Sequence, residues 1–249
     1  MRNAGLMQEP GLPFTPPAAH LHPRIVRWRH ALYWYEEAMR IFKFAPLSFV
    51  GLAVVTLATE IALKTLPGAF ALIGEIFTPL VACALLYASA AADRHAAPTP
   101  RLFLLVFQAG GNAIAAIVGA SLVAFVAEAL AAWWIADVNP LVIADMEKLS
   151  APAIMGIMAI GVLAALPVTF VPMLILFERV SMRKAFAASG VAFAQNTMPL
   201  LVYGAASLVL LGFGLLTVGL GFAFALPLWA ASSYVAWKDV FGVRDAPTF

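Results

Sequence analysis

Charge is what this sequence has least of. Of its 249 residues, 11% are Asp, Glu, Lys or Arg, whereas 63% are hydrophobic, and the mean hydropathy is +0.93. So little polar surface cannot cover a water-soluble globule of this length, so lipid must be the solvent for much of the chain. Cysteine is nearly absent: Cys83 is the only one, inside an apolar run. That excludes an intramolecular disulfide and any cysteine-based zinc or iron–sulfur site. Histidine is confined to His20, His22, His30 and His95, outside every apolar stretch. No span therefore carries the base that would activate Ser48, Ser121, Ser207, Ser232 or Ser233, and no enzymatic activity is expected. His20-Leu21-His22 offers too few ligands in fixed geometry for a metal. The glycine run Gly212-Phe213-Gly214 to Gly219-Leu220-Gly221 has no Lys, Ser or Thr arranged as in a phosphate loop. No cofactor or metal is expected.

What the chain does have is an uneven distribution of basic residues around six apolar stretches. Thirteen of the fifteen Lys and Arg residues fall on one side: Arg2, Arg24, Arg27, Arg29, Arg40, Lys43, Arg94, Arg101, Arg179, Arg183, Lys184, Lys238 and Arg244. Only Lys64 and Lys148 occupy the alternate loops. Cytoplasmic loops are enriched in Lys and Arg because these residues resist translocation and meet anionic lipid. The expectation is a multi-pass protein of the bacterial inner membrane with both termini cytoplasmic. The basic residues are spread along one face rather than clustered on a groove-reading element, so no nucleic-acid partner is expected. Anionic phospholipid is the expected partner, with room for a protein partner in the membrane or a second copy of the chain.

The expected fold is all-α. Residues 1–25 carry five prolines and no apolar core, and read as a disordered cytoplasmic tail rather than a cleavable signal. Residues 26–241 form the membrane domain, and 242–249 a second cytoplasmic tail. Spans, each about 20 residues or a little longer, are expected at about 46–65, 69–92, 112–136, 151–177, 197–216 and 220–237. Amphipathic interfacial helices are expected at about 26–45, 101–111 and 181–196. In the first of these, Trp28, Leu32, Tyr35, Met39 and Phe42 recur at helical spacing opposite Arg29, Glu36, Arg40 and Lys43. The order of one amphipathic helix, one span out and one span back occurs three times. Each returning span holds a related tripeptide, Thr78-Pro79-Leu80, Val171-Pro172-Met173 and Leu226-Pro227-Leu228, which suggests a threefold internal repeat.

Within the spans the candidate ligand or ion site is acidic. Glu60, Glu75 and Glu128 lie roughly 7 to 13 Å inward from the outer helix ends by rise per residue. Carboxylates at that depth must be paired, protonated or wet. Glu60 and Lys64, four apart, can pair on one helix face. Pro79, Pro167, Pro172 and Pro227 are candidate kinks, since a proline inside a span frees a carbonyl. Ala84, Ala88 and Ala92, and Ala116, Ala120 and Ala124, form small-residue ladders for close helix packing. Membrane-interface anchors are expected at Trp28, Arg29, Arg40, Phe42, Lys43, Trp133, Trp134, Arg183, Lys184 and Trp237.

Phe170-Val171-Pro172, Ser181, Ala185, Ser189 and Asn196, followed by Pro227-Leu228, Ala230, Tyr234 and Lys238-Asp239-Val240-Phe241, resemble an uncharacterised family of six-helix inner-membrane proteins of proteobacteria. More distantly, the pattern is similar to the membrane domain fused to some bacterial glycerophosphodiester phosphodiesterases. The resemblance covers roughly residues 28–241 and brings no catalytic or ligand residues. The expected role is a non-enzymatic scaffold or lipid-associated membrane protein. The alternative is a small cation- or proton-coupled transporter or channel built around the three glutamates.

Overall fold

A computed structural model of the chain describes residues 21–65, 71–138 and 149–244. The Pro-rich arm over 1–20, the turn at Leu66-Pro67-Gly68, the loop residues Asp145, Glu147 and Lys148, and residues 245–249 lie outside them. So does the pairing expected between Glu60 and Lys64. The regular structure is helical throughout, with no strand among the described residues. A helix satisfies its backbone polar groups within its own segment, as lipid requires.

One shorter helix precedes each pair of long arms. The short helix α1 (His30–Phe44) precedes α2 (Pro46–Lys64) and α3 (Ala71–Asp93). Next comes the short α4 (Leu102–Gln108), followed by α5 (Gly111–Ala136) and an interrupted arm made of α6 (Ala151–Ala165), a 3₁₀ turn (Leu166–Val168) and α7 (Val171–Leu176). The last group is α8 (Met182–Gln195), α9 (Thr197–Leu216) and α10 (Phe222–Phe241). Among the described residues, five segments are long and apolar enough to cross a membrane: Pro46–Leu63, Ile73–Asp93, Gly111–Ala136, Ala151–Leu176 and Thr197–Leu216. The sixth expected span, α10, equals α9 in length but is not among them.

The four prolines where a kink was expected fall in two kinds of place. Pro79 and Pro227 sit inside continuous helices. Pro167 falls in the 3₁₀ turn and Pro172 in the first turn of α7, so the fourth arm is broken rather than bent. A break frees backbone groups inside a low-dielectric bundle, and Ser189 of α8 satisfies two of them. Its buried hydroxyl donates to the Pro167 carbonyl at 2.8 Å and accepts from the Phe170 amide at 3.2 Å.

The first amphipathic helix starts at His30 rather than 26, and its packed face differs from the expected stripe. Ala31, Trp34, Ala38 and Ile41, spaced three, four and three, are fully or nearly fully buried. Trp28 and Leu32 are about half exposed. The small Ala31 and Ala38 allow close approach to α10, and Trp34 inserts beside them because its indole N–H finds an acceptor there. The next residue, Tyr35, stacks on Tyr203 of α9 with ring centres 5.6 Å apart, and its hydroxyl meets Ser207 Oγ at 2.8 Å. α1 is thus part of the bundle.

The least apolar long helix lies at the centre. α10 packs on α1, α2, α3 and α9, and Ser232, Tyr234, Ala236 and Trp237 on it have no exposed surface. α2 and α5, by contrast, leave Val54, Val55, Ile61, Val126 and Leu130 exposed, as suits surfaces solvated by lipid. The short helices follow one rule of contact: α4 packs on α3, α8 on the 3₁₀ turn and α7, and α1 on α10.

Candidate functional site

The ends of α3 and α10 bring two carboxylates to the basic end of the bundle. Both helices finish in a left-handed residue, His95 (φ 58°) after α3 and Gly242 (φ 67°) after α10. Each closes with a bond reaching back five residues, Ala96 N to Ala91 O and Val243 N to Lys238 O, both 2.9 Å. These turns set Asp93 and Asp239 in the final turn of their helices, where the helix dipole disfavours a negative charge. Cations must therefore come from elsewhere in the chain.

Asp239 draws them from α1 and the segment before it. Its Oδ1 pairs with the Arg24 guanidinium, and its Oδ2 accepts from Trp34 Nε1 at 2.8 Å and from His30 Nδ1 at 2.7 Å. A carboxylate only accepts, so His30 is the donor. The Asp239 side chain is 8% exposed and that of Arg24 58%. Burial alone would raise the Asp239 carboxyl, but hydrogen bonds from Trp34, His30 and Arg24 outweigh it and hold the group below its ordinary value. The backbone joins in: Arg24 N donates to Val240 O at 2.8 Å. Buried Asn196, at the end of α8, completes the pin. It accepts from Val26 N at 2.8 Å and donates to Arg24 O at 3.0 Å and Ala192 O at 3.1 Å.

Asp93 forms a second clasp from α3 to α10. Its Oδ2 accepts from Tyr234 OH at 2.9 Å and from Lys238 Nζ at 2.6 Å, while Arg40 stands 3.6 Å from Oδ1. Arg40 is held chiefly by Glu37, one turn back, and that bond raises the already high pKa of its guanidinium. Between the two clasps opens a cleft of about 260 Å³, whose mouth includes Tyr33, Glu37 and Arg244.

Sequence reasoning did not single out Asp93, Asp239, Arg24, His30 or Trp34. The available signal was that each returning arm ends in an acid beside a base, Asp93-Arg94, Glu178-Arg179 and Lys238-Asp239, on the side where bases are in excess. The glutamates it did single out are all half-buried. Glu60 and Glu75 lie on the packed pair α2 and α3. Glu128 fills the space left by Gly161 of α6, where a Cβ would collide with its side chain. Among the described residues, no three His, Cys, Asp or Glu side chains gather closely enough to hold a metal ion.

The expected interface anchors divide. Trp133 and Trp134 are 65% and 81% exposed, and Lys43, Arg183 and Lys184 are exposed. Arg29 is exposed too, with its guanidinium 5.5 Å from the centre of the half-exposed Trp28 ring. Arg40 is exposed but paired. Phe42 and Trp237 are buried. Phe42 packs between Phe49 and Phe224, and Trp237 between Phe177 and Tyr234, because both rings face the central helix contacts rather than the bundle surface. No family model matches the chain, and no curated protein or solved structure matches it.

Proposed function

We propose that the chain is a non-enzymatic, six-span protein of the bacterial inner membrane whose basic, cytoplasmic face holds anionic lipid. The observation that carries this reading is the layout of the basic end. Arg27, Arg29, Lys43, Arg183 and Lys184 are exposed, and so are Ile25, Trp28, Leu32 and Phe44. Apolar anchors interleaved with Lys and Arg are what a headgroup layer binds, at about 1 kcal/mol per basic residue. The carboxylates at the same end are engaged by donors from other helices, which fits a structural clasp rather than an acid or base poised for chemistry.

The sixth span is 220–237, most of it α10. Eighteen residues rise about 27 Å, close to the thickness of the hydrocarbon core. Ser232 and Tyr234 in it are fully buried where α10 packs on α1, α2, α3 and α9, so low apolarity does not count against insertion. The threefold repeat belongs to the same reading: each short helix packs on the returning arm that precedes it, with α1 on α10 closing the cycle. So does the likeness to six-helix inner-membrane proteins.

Two measurements test this. Reporter fusions after Lys64 and Lys148 should report the outer side, and those after Arg94, Arg183 and Phe249 the cytoplasmic side. A cytoplasmic signal at 148 would rule out six spans. The purified chain should be stabilised by phosphatidylglycerol over phosphatidylcholine, and equal stabilisation would rule out the lipid role.

A further inference from the structure

The cleft between the two clasps has more hydrogen-bond donors than its own acceptors use. Asp239 is occupied by Arg24, His30 and Trp34, and Asp93 by Tyr234 and Lys238 with Arg40 nearby. Glu37 takes two N–H groups from Arg40. Each carboxylate is thus paired with a cation. The donors are not exhausted. Lys238 has three ammonium protons and gives one to Asp93; Arg24 has five N–H groups and gives two to Asp239. Arg244 stands exposed at the mouth, in no ion pair seen among the described residues, beside the half-exposed hydroxyl-bearing Tyr33. Three cations, Arg24, Lys238 and Arg244, line the cleft with three carboxylates, Asp93, Asp239 and Glu37. Asp239 pairs with Arg24, Asp93 with Lys238 and Glu37 with Arg40, which stands outside the lining, so among the described residues Arg244 is the cation left over.

We infer that this cleft binds a phosphate group through Lys238, Arg24 and Arg244. A phosphate accepts several donors at once, and Arg and Lys held in advance by carboxylates lose little freedom on meeting it. A cation would meet the ammonium and guanidinium groups, and a neutral ligand would leave their charge unanswered. The volume, about 260 Å³, lies below the usual range of drug-sized pockets and suits a phosphate-bearing headgroup or inorganic phosphate. This deepens the lipid-binding reading of the basic face and rests on it only for the source of the phosphate.

The test uses the full chain in neutral detergent. Melting temperature is followed while inorganic phosphate, or dioleoylphosphatidylglycerol against dioleoylphosphatidylcholine, is titrated at constant ionic strength. Stabilisation by both phosphate and phosphatidylglycerol supports a site open to free phosphate; stabilisation by phosphatidylglycerol alone supports the same site filled from the leaflet. In either case Arg244→Gln should weaken the apparent affinity roughly tenfold, the loss of one charge-assisted bond, and Arg244→Lys should recover most of it. Arg244 is exposed, so without ligand both variants should melt with the wild type. Arg101→Gln removes one exposed charge that does not line the cleft and should leave the cleft's affinity unchanged. Binding by Arg244→Gln equal to wild type overturns the inference, as does an equal loss in Arg101→Gln, which would mean diffuse attraction. If phosphatidylglycerol still stabilises while Arg244→Gln is silent, only the cleft inference fails. If wild type does not distinguish phosphatidylglycerol from phosphatidylcholine, the lipid-binding reading fails with it.

Discussion

Replacing Asp239 by Asn tests whether the carboxylate clasp holds α1 onto the bundle. The change keeps the shape and one acceptor oxygen, so Trp34 Nε1 can still donate, but Arg24 loses its ionic partner and His30 its carboxylate acceptor. Breaking a fully buried pair costs about 3–5 kcal/mol. Here Asp239 is 8% exposed but Arg24 is 58% exposed, so the released guanidinium regains water and the penalty is screened. A loss of about 2 kcal/mol is expected, comparable to one charge-assisted hydrogen bond. The pH dependence identifies the cause. The folded-state pKa of Asp239 lies below its ordinary 3.8, so its contribution is fully present above that value and lost as pH falls through the folded-state value. Detergent-solubilised wild type and Asp239→Asn should differ in thermal stability at pH 7. The gap should close as pH drops below 3.8, with Arg24 and His30 the charged groups facing the carboxylate. A variant that melts with wild type at pH 7, or a gap that persists unchanged in acid, would refute the reasoning.

Asn196→Ala should cost about 2 kcal/mol by leaving the Val26 amide and the Arg24 carbonyl without their partner. Limited proteolysis should then cleave near Arg24 and Arg27 faster than in wild type, before global unfolding. Gly161→Ala places a methyl group against Glu128 and should destabilise the α5–α6 contact by about 1–3 kcal/mol. Adding Glu128→Ala should restore most of that loss in denaturant titrations, and failure of the rescue would mean that Glu128 does not occupy the gap. Val218 holds φ at 54° in the turn before α10, a conformation costly for a β-branched residue. Val218→Gly should therefore raise the melting temperature, by about 1–2 kcal/mol of stabilisation.

Hydropathy and helical spacing were sufficient to place the elements. The expected span at 46–65 is the helix Pro46–Lys64, that at 112–136 is Gly111–Ala136, and that at 197–216 is Thr197–Leu216. These boundaries are local properties: Pro46 opens a helix at its first position, and in lipid an apolar run of the right length has no alternative to helix. The all-helical class and its membrane-like character were therefore determined by the sequence alone. Which face of a helix turns inward was not. α1 has two candidate stripes, and the larger apolar one, through Trp28 and Leu32, remains outside. Ala31 and Ala38 let Trp34 approach an acceptor 205 residues away in sequence, and no periodicity within α1 reports the existence of that acceptor. The same limit hid the clasps. Asp93 and Asp239 read as ordinary helix ends because Arg24, His30, Arg40 and Lys238 become their partners only once α1, α3 and α10 have packed. That α10 packs against four other helices, α1, α2, α3 and α9, was likewise not legible in its own residues. Composition determined the solvent and the elements; tertiary packing decided which polar groups meet, since a carboxylate's partners depend on distances that the order of residues does not encode.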